Sequence, residues 1–362
     1  MKKLSHKRKN WLNYCVKRQH AKLIKEAIAF KRAGKNMIVR RKSSVFIIPE
    51  ILMAEKEEHR KRILEVVNQI RFTLENTKAR IKLDFSKVSK IYPGGMLILI
   101  SSLELICFKF HGRVVARCPS GSLAGQLLNH FGFAKNLGMV PLLNNPTADS
   151  VINWNYITGT QADGQKVSNL LKQYGDNTNA QIPQSLFAVL TEALVNVRQH
   201  AYDYEKSNIH SDFQKWWLFA RYREPSAGNL GNLYIAIYDI GVGIPFTMRK
   251  KKEKKEIVID FFDQAGKKFN LSSGTLLDKH LLSEAVENKR SQTGEPYRGN
   301  GLPEMREFVS STTDGRLCII SGKAQYTSCG GQSHGQSHSI QSMFPGTLLL
   351  WSLPLTPKDS QL

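Results

Sequence analysis

The sequence predicts an α/β protein in two domains, and three observations predict it. Strand-like and amphipathic helical segments alternate between residues 37 and 140. A stretch rich in Asn, Pro, Asp and Gly follows at 141–180 and reads as linker. Beyond it, up to residue 356, polar and glycine motifs stand at the ends of apolar segments. A chain of 362 residues is long enough for two domains. The boundary is placed near 150–160, giving a basic helical arm at 1–36, one domain at 37–150 and another at 160–356.

Composition narrows the class. No run of about 18 apolar residues occurs, so no transmembrane helix is expected. The basic N-terminus, "MKKLSHKRKNWLNYCVKRQH", lacks a following apolar region and a cleavage site, so it does not read as a secretory signal. Five cysteines, an odd number with no C-x-x-C, argue against a disulfide framework or a zinc site and fit a reducing cytoplasm. The net charge of +22 is concentrated: residues 1–42 hold fifteen Lys/Arg against one Glu, and "RKKKEKK" at 249–255 holds six basic residues against one acid. The remainder carries only +3. A basic arm of this kind suits a polyanion, either nucleic acid or an anionic membrane surface, and suits equally a solvated helix.

Each element of the first domain has a local signal. Residues 11–33 carry an apolar stripe (Leu12, Val16, Leu23, Ile24, Ala27, Ile28) on a basic helix. "SSVFIIPEIL" reads as strand and "KEEHRKRILEVVNQIRFTLEN" as amphipathic helix. "RIKLDFSKVSKI" is a strand with its exit, "GGMLILISSLELICFKF" a helix and "RVVARCP" a strand. "SLAGQLLNHFGF" is a final helix with Ser120 or Ser122 as its cap.

In the second domain, "SLFAVLTEALVNVRQHAY" carries Glu192, Asn196 and His200 at intervals of four. Four residues advance about 400° around a helix, so the three drift only about 40° per step and share one side. Leu186, Val189, Leu190, Ala193, Leu194 and Val197 cover the opposite arc and would pack on a sheet. An amide oxygen suits Mg²⁺. A carboxylate one turn away can take a proton from an attacking water or hydroxyl, and an imidazole can face phosphate. A surface helix with a chance polar row is the plain alternative. Further on, "NLYIAIYDIGVGIP" alternates as a strand and ends at Asp239, with Gly241 and Gly243 in the turn; a carboxylate there can accept the amine of adenine. "YRGNGLPEMREFV" places Gly299 and Gly301 before a helix, where backbone N–H groups suit phosphate. "FPGTLLLWSLPL" reads as a closing strand opened by Gly346-Thr347. Cys329, His334 and His338 in "YTSCGGQSHGQSH" are an incomplete metal set.

Two family resemblances follow. The first domain, on "LDFSKVSKIYPGGMLIL" with its following helix, strand and helix, resembles a STAS domain, the fold of anti-sigma-factor antagonists. The antagonists' phosphorylated Ser/Thr is missing from the tip, which here is Tyr92-Pro93-Gly94-Gly95. That leaves a docking or scaffold role. Over about 165–356 the motifs resemble the GHKL ATPase superfamily and its Bergerat fold. "TEALVNVRQHAY" stands for the N-box, with "DIGVGIP" and "GNGL" for the glycine boxes and "GT" for the late strand; the N-box is most similar to anti-sigma-factor serine kinases. The resemblance implies a sandwich with a mixed sheet and helices on one face, and ATP and Mg²⁺ as cofactors. It implies Glu192 as catalytic base, Asn196 as magnesium ligand and Asp239 as reader of adenine. Gly241 and Gly243 would shape the pocket. Gly299, Gly301 and Leu302 would wrap the phosphates, and Thr347 would support the adenine contact. His200 and the lid arginines, Arg290 and Arg298, would reach phosphate. Residues 246–298 would form a long ATP lid. No Walker A motif and no H-R-D loop occur. Three functions stand: an Mg-dependent ATPase regulator whose lid controls a protein partner, a serine/threonine kinase acting on a separate STAS-like partner, and a non-enzymatic ATP-bound module that holds nucleic acid through residues 1–42. Assembly with further copies is compatible with each.

Overall fold

The computed structural model describes residues 44–119, 121–139, 149–177, 181–202, 213–226, 230–253, 273–288 and 301–356. The basic arm, Arg290, Arg298, Gly299 and the tail after Thr356 lie outside the described residues. From Ser43 onward the chain forms one compact unit. It is an α/β structure with both parallel and antiparallel sheets.

The N-terminal layer follows the alternation of its sequence. Strands β1 (Ser44–Ile47), β3 (Ile81–Asp84) and β5 (Val114–Arg117) form a parallel sheet in the order β1-β3-β5. Pro49 interrupts the first strand-like segment, so its second half, β2 (Ile51–Leu52), pairs instead with β4 (Lys90–Ile91). Helix α1 (Glu57–Asn76) buries Ile63, Val67, Ile70 and Leu74, a stripe at helical spacing, and opens with Glu57 and Glu58 against its positive end. Helix α2 (Pro93–Lys109) is apolar all round and is buried along most of its length. Helix α3 (Leu123–His130) is capped by Ser122, whose side chain accepts from the Gly125 amide at 3.2 Å.

Five further strands make a second sheet, ordered β6 (Trp154–Gly159), β7 (Trp216–Arg223), β8 (Gly231–Asp239), β10 (Gln336–Leu355), β9 (Arg316–Cys329). Side-chain alternation feeds two cores. Trp217, Phe219, Ala236, Tyr238, Ile320, Leu348 and Leu350 join α1 and α2 on one face. Trp216, Leu218, Ile235, Ile237, Ile319, Leu349 and Trp351 join the C-terminal helices on the other. The mixed sheet expected of the C-terminal half is therefore corrected. Its five strands are antiparallel throughout, and parallel pairs are confined to the N-terminal layer. β9 and β10 are joined by one short turn, whereas β8 and β9, which flank β10 and so run in the same direction, are linked through the helices between them. The helices of the C-terminal half cover one face of this sheet, and α2 of the N-terminal layer covers the other.

The linker expected at 141–180 is corrected as well. It contains helix α4 (Asp149–Ile152), the edge strand β6 and helix α5 (Gly164–Asn177). Val167, Leu170, Leu171 and Tyr174 of α5 are buried at helical spacing, and Tyr156 of β6 stacks at 4.9 Å from Phe219. No helix among the described residues is long and apolar enough to cross a membrane.

The Tyr92-Pro93-Gly94-Gly95 tip is where the two layers close on each other. A Cβ on Gly94 would stand 2.7 Å from Leu350 of β10, and one on Gly95 would overlap the Leu52 backbone. The glycines thus serve close packing. Arg60 of α1, 2% exposed, donates to the Ala54 carbonyl and to Gln325 of β9 at 3.0 Å. Gly95→Ala is expected to cost roughly 1–3 kcal/mol by overpacking, read as a lower urea midpoint at unchanged slope.

Candidate active site

One row of cross-strand neighbours lies at the end of the large sheet, on the helix-covered face: Trp216, Asp239, Thr347 and Ser321. The pairing register places these four abreast. A bulge in β10 around Phe344–Thr347 interrupts the β9–β10 ladder just before the row. Within it Gly346 has φ +77°, and a Cβ there would collide with the Asp239 carbonyl. Gly346-Thr347 therefore does not open a strand, as expected from sequence, but re-aims one that began at Gln336. Ser321 ties the row together: its hydroxyl donates to the Gly346 carbonyl at 3.0 Å, accepts from the Ile244 amide at 2.9 Å and lies 3.1 Å from the Thr347 hydroxyl.

Asp239 is 4% exposed. Its carboxylate accepts from the amides of Gly241, at 2.8 Å, and Thr347, and no cation pairs with it among the described residues. Burial pushes its pKa up to about 7, against the opposing pull of the two amide bonds. With the folded pKa above the unfolded one, the native state holds the extra proton. Stability is then greatest below the unfolded carboxyl value and falls as pH rises towards about 7. Asp239→Asn is thus expected to be more stable than the parent at pH 8 by roughly 1–3 kcal/mol, with the gain vanishing near pH 4, in paired urea titrations.

The second side of the site comes from helix α6 (Gln184–Asn196), which ends in a π-helical turn (Val197–Ala201). The predicted apolar arc is buried as expected: Leu186, Val189, Leu190, Ala193, Leu194 and Val197 face the sheet. The π turn corrects the picture of a straight helix. Its i→i+5 bonds wind the chain less per residue, so the step from Asn196 to His200 falls short of a full turn where an α-helix would overshoot. The widened turn brings its end against the Asp239 loop. Ala201 O accepts from the Val242 amide at 3.0 Å and the Tyr202 hydroxyl from the Ile240 amide at 3.1 Å. Gly241 abuts Ala201, and Gly243, at φ +83°, lies beside Ser321.

Glu192, Asn196 and His200 are all half-buried. Helix α9 (Gly301–Ser310) starts directly on Glu192: a Cβ on Gly301 would overlap the Glu192 side chain. Gly301 is buried, and Leu302 packs on the helix-side core. Burial raises the Glu192 pKa, and the Glu304 carboxylate in the first turn of α9 raises it further. Asn196 keeps a buried amide nitrogen without a partner among the described residues. The two ends of an amide interchange by a flip, so this position can equally present an oxygen. Among the described residues no three His, Cys, Asp or Glu side chains cluster to hold a metal. A cation here would draw its other ligands from a bound phosphate, as Mg²⁺ commonly does.

The long lid expected at 246–298 is broken by packed helices. Within it α7 (Ile244–Glu253) and α8 (Ser273–Glu287) are described, while 254–272 and 289–298 lie outside the described residues. Leu281, Leu282 and Val286 of α8 are fully buried. Asp278, 1% exposed, holds Arg249 at 2.5 Å and the Lys323 amide at 2.7 Å. At the far end of α8, Glu287 accepts from Arg306, Tyr326, His334 and the Gly335 amide at 2.6–2.9 Å. These donors hold its pKa low against burial. Glu287→Ala is expected to destabilise the fold by on the order of 2–3 kcal/mol, somewhat under the fully buried range because the pair keeps some water; thermal denaturation reads it. A cleft of about 250 Å³ lies elsewhere, between Pro49–Ile51 and α1, and shares no residue with the row.

No protein-family model matches the chain, and no curated protein matches it. The site rests on its own geometry. Sequence reasoning named Asp239, Gly241, Gly243 and Thr347, which stand in or beside the strand-end row, and Glu192, Asn196 and Gly301, of which Gly301 abuts Glu192 on the helix that also carries Asn196. It missed Ser321, Trp216 and Tyr202. Parity along β9 and β7 places Ser321 and Trp216 on the helix-facing side, but only the strand order sets them beside Asp239.

Proposed function

We propose that this protein binds ATP with Mg²⁺ at the strand-end row and hydrolyses it, as a GHKL-type regulator built on a STAS-like layer. The observation that carries the reading is Asp239, a buried carboxylate with no counter-cation among the described residues, facing Thr347 and Ser321. An uncompensated buried acid is costly to the fold, and such groups cluster at functional sites. An adenine amine would add a further donor to the two backbone amides it already accepts from. The base would then sit over the row, and the phosphates would extend towards Gly301 and the α6 side chains. Asn196, with Glu192 beside it, would hold Mg²⁺ through its amide oxygen; the bound ion would supply charge neutralisation to the phosphates. Glu192 would take the proton of a water attacking the terminal phosphorus, as the bond to the bridging oxygen breaks and ADP leaves. Its raised pKa makes it a better base than an exposed glutamate. In the kinase variant a partner hydroxyl replaces the water. The buried Gly94-Gly95 tip would not be the acceptor.

The test is phosphate release from γ-labelled Mg·ATP, with the protein run on a gel. Glu192→Ala is expected to lose about 10²–10⁴-fold in turnover while still binding ATP. Label on protein instead of free phosphate moves the function to phosphotransfer, and failure to bind ATP at all ends the proposal. Because the base works only when ionised, the acid limb of the wild-type rate profile is expected above the ordinary glutamate value of about 4.3, with activity rising as pH passes through it.

A further inference from the structure

The motifs of the candidate site leave one residue without a role. Tyr202 directly follows the π turn, and its hydroxyl is used twice: it accepts from the Ile240 amide at 3.1 Å and donates to the Lys215 carbonyl at 2.6 Å. Ile240 opens the loop after Asp239, whose amide at Gly241 binds the Asp239 carboxylate. Lys215 leads into β7, and its ammonium is clamped on the other layer of the protein. It meets Glu104 of α2 at 2.6 Å, over the Trp217 ring at 5.2 Å and the Phe213 ring at 5.4 Å. The second oxygen of Glu104 accepts from the Trp217 indole at 2.7 Å. Lys215 is only 12% exposed and Glu104 25%, so water screens this pair little. Phe108 of α2 closes edge-on to Phe213 at 4.9 Å.

We infer that Tyr202 is a positioning residue for the Ile240–Gly243 loop, and that Glu104 of the N-terminal layer sets it through Lys215. The inference rests on the nucleotide reading for its consequence, though not for its geometry. One hydroxyl thus bridges the carbonyl of Lys215, whose side chain is held by the N-terminal layer, and the amide of Ile240. A shift of α2 would move Lys215 and its carbonyl, and Tyr202 would carry that movement to the amide beside Asp239. Binding of a macromolecule to the N-terminal layer would thereby change nucleotide affinity, and nucleotide would change the layer's affinity by the same factor.

A double-mutant cycle on the full chain tests this, with Tyr202→Phe, Glu104→Gln and both together. The first readout needs no ligand: hydrogen exchange of the amides from Ile240 to Ile244. Tyr202→Phe keeps the ring and removes the hydroxyl, and is expected to speed exchange at Ile240 about 5- to 10-fold, the loss of one ordinary hydrogen bond. Glu104→Gln should speed the same amides by a smaller factor, and the double variant should add little to Tyr202→Phe alone. Lys109→Gln, on the same helix but with its ammonium on the exposed Glu75 and over the Phe110 ring, should leave them unchanged. The second readout is Mg·ATP affinity, expected to weaken about 5- to 10-fold in Tyr202→Phe with the same non-additivity. Exchange that rises uniformly along the chain marks Tyr202 as a general stabiliser, and effects that simply multiply mark Glu104 as independent; either overturns the inference. A wild-type chain that shows the exchange coupling but binds no Mg·ATP sinks the nucleotide reading alone.

Discussion

A sheet with water on neither face constrains everything around it. Over Trp216–Ala220, Ile235–Tyr238, Leu317–Ile320 and Leu348–Trp351 residues of both parities are apolar and buried, and each face must find its own cover. The two covers differ. On one side α2, apolar all round, is pressed so close that two successive glycines touch the sheet and the backbone of β2. On the other side α5, α6, α8 and α9 each contribute apolar residues to a separate core. At the end of the sheet on that side the row Trp216–Asp239–Thr347–Ser321 is buried with a carboxylate in it.

That arrangement explains why the site costs stability. Asp239 gives up hydration for two amide hydrogen bonds, and Asn196 has a buried amide end with nothing to bind among the described residues. Glu192 lies between the start of α9 and the acid of Glu304. Each is a local violation of what a stable core would choose, and two of the three lie one turn apart on α6. Violations grouped in this way mark function more readily than scattered ones.

Much of this was legible in the sequence because it is local. The stripe of α1, the apolar run of α2, the arc of α6 and the Ser122 cap follow from spacing alone. So does the pairing of Glu192 with Asn196, since both lie on one α-helix. What escaped depends on long-range partners. Asn- and Gly-rich surroundings hid β6 and α5, although Val167, Leu170, Leu171 and Tyr174 keep helical spacing. The π turn has no local signature here; it exists because Ala201 and Tyr202 find the amides of Val242 and Ile240. Strand order likewise decided the role of Ser321, which reads as an unremarkable strand serine until β10 is laid between β9 and β8. The antiparallel course of the large sheet and its cover on both faces belong to the same class of tertiary facts.

Helix α8 has a consequence for how the chain can vary. Asp278 and Glu287 fasten it, and Leu281 and Leu282 lie in the core. The two acids draw their partners from three other elements: Arg249 of α7, Lys323 and Tyr326 of β9, and Arg306 of α9. A substitution that displaced α8 would therefore be felt in all three at once, so its two acids are the positions of the helix least free to drift.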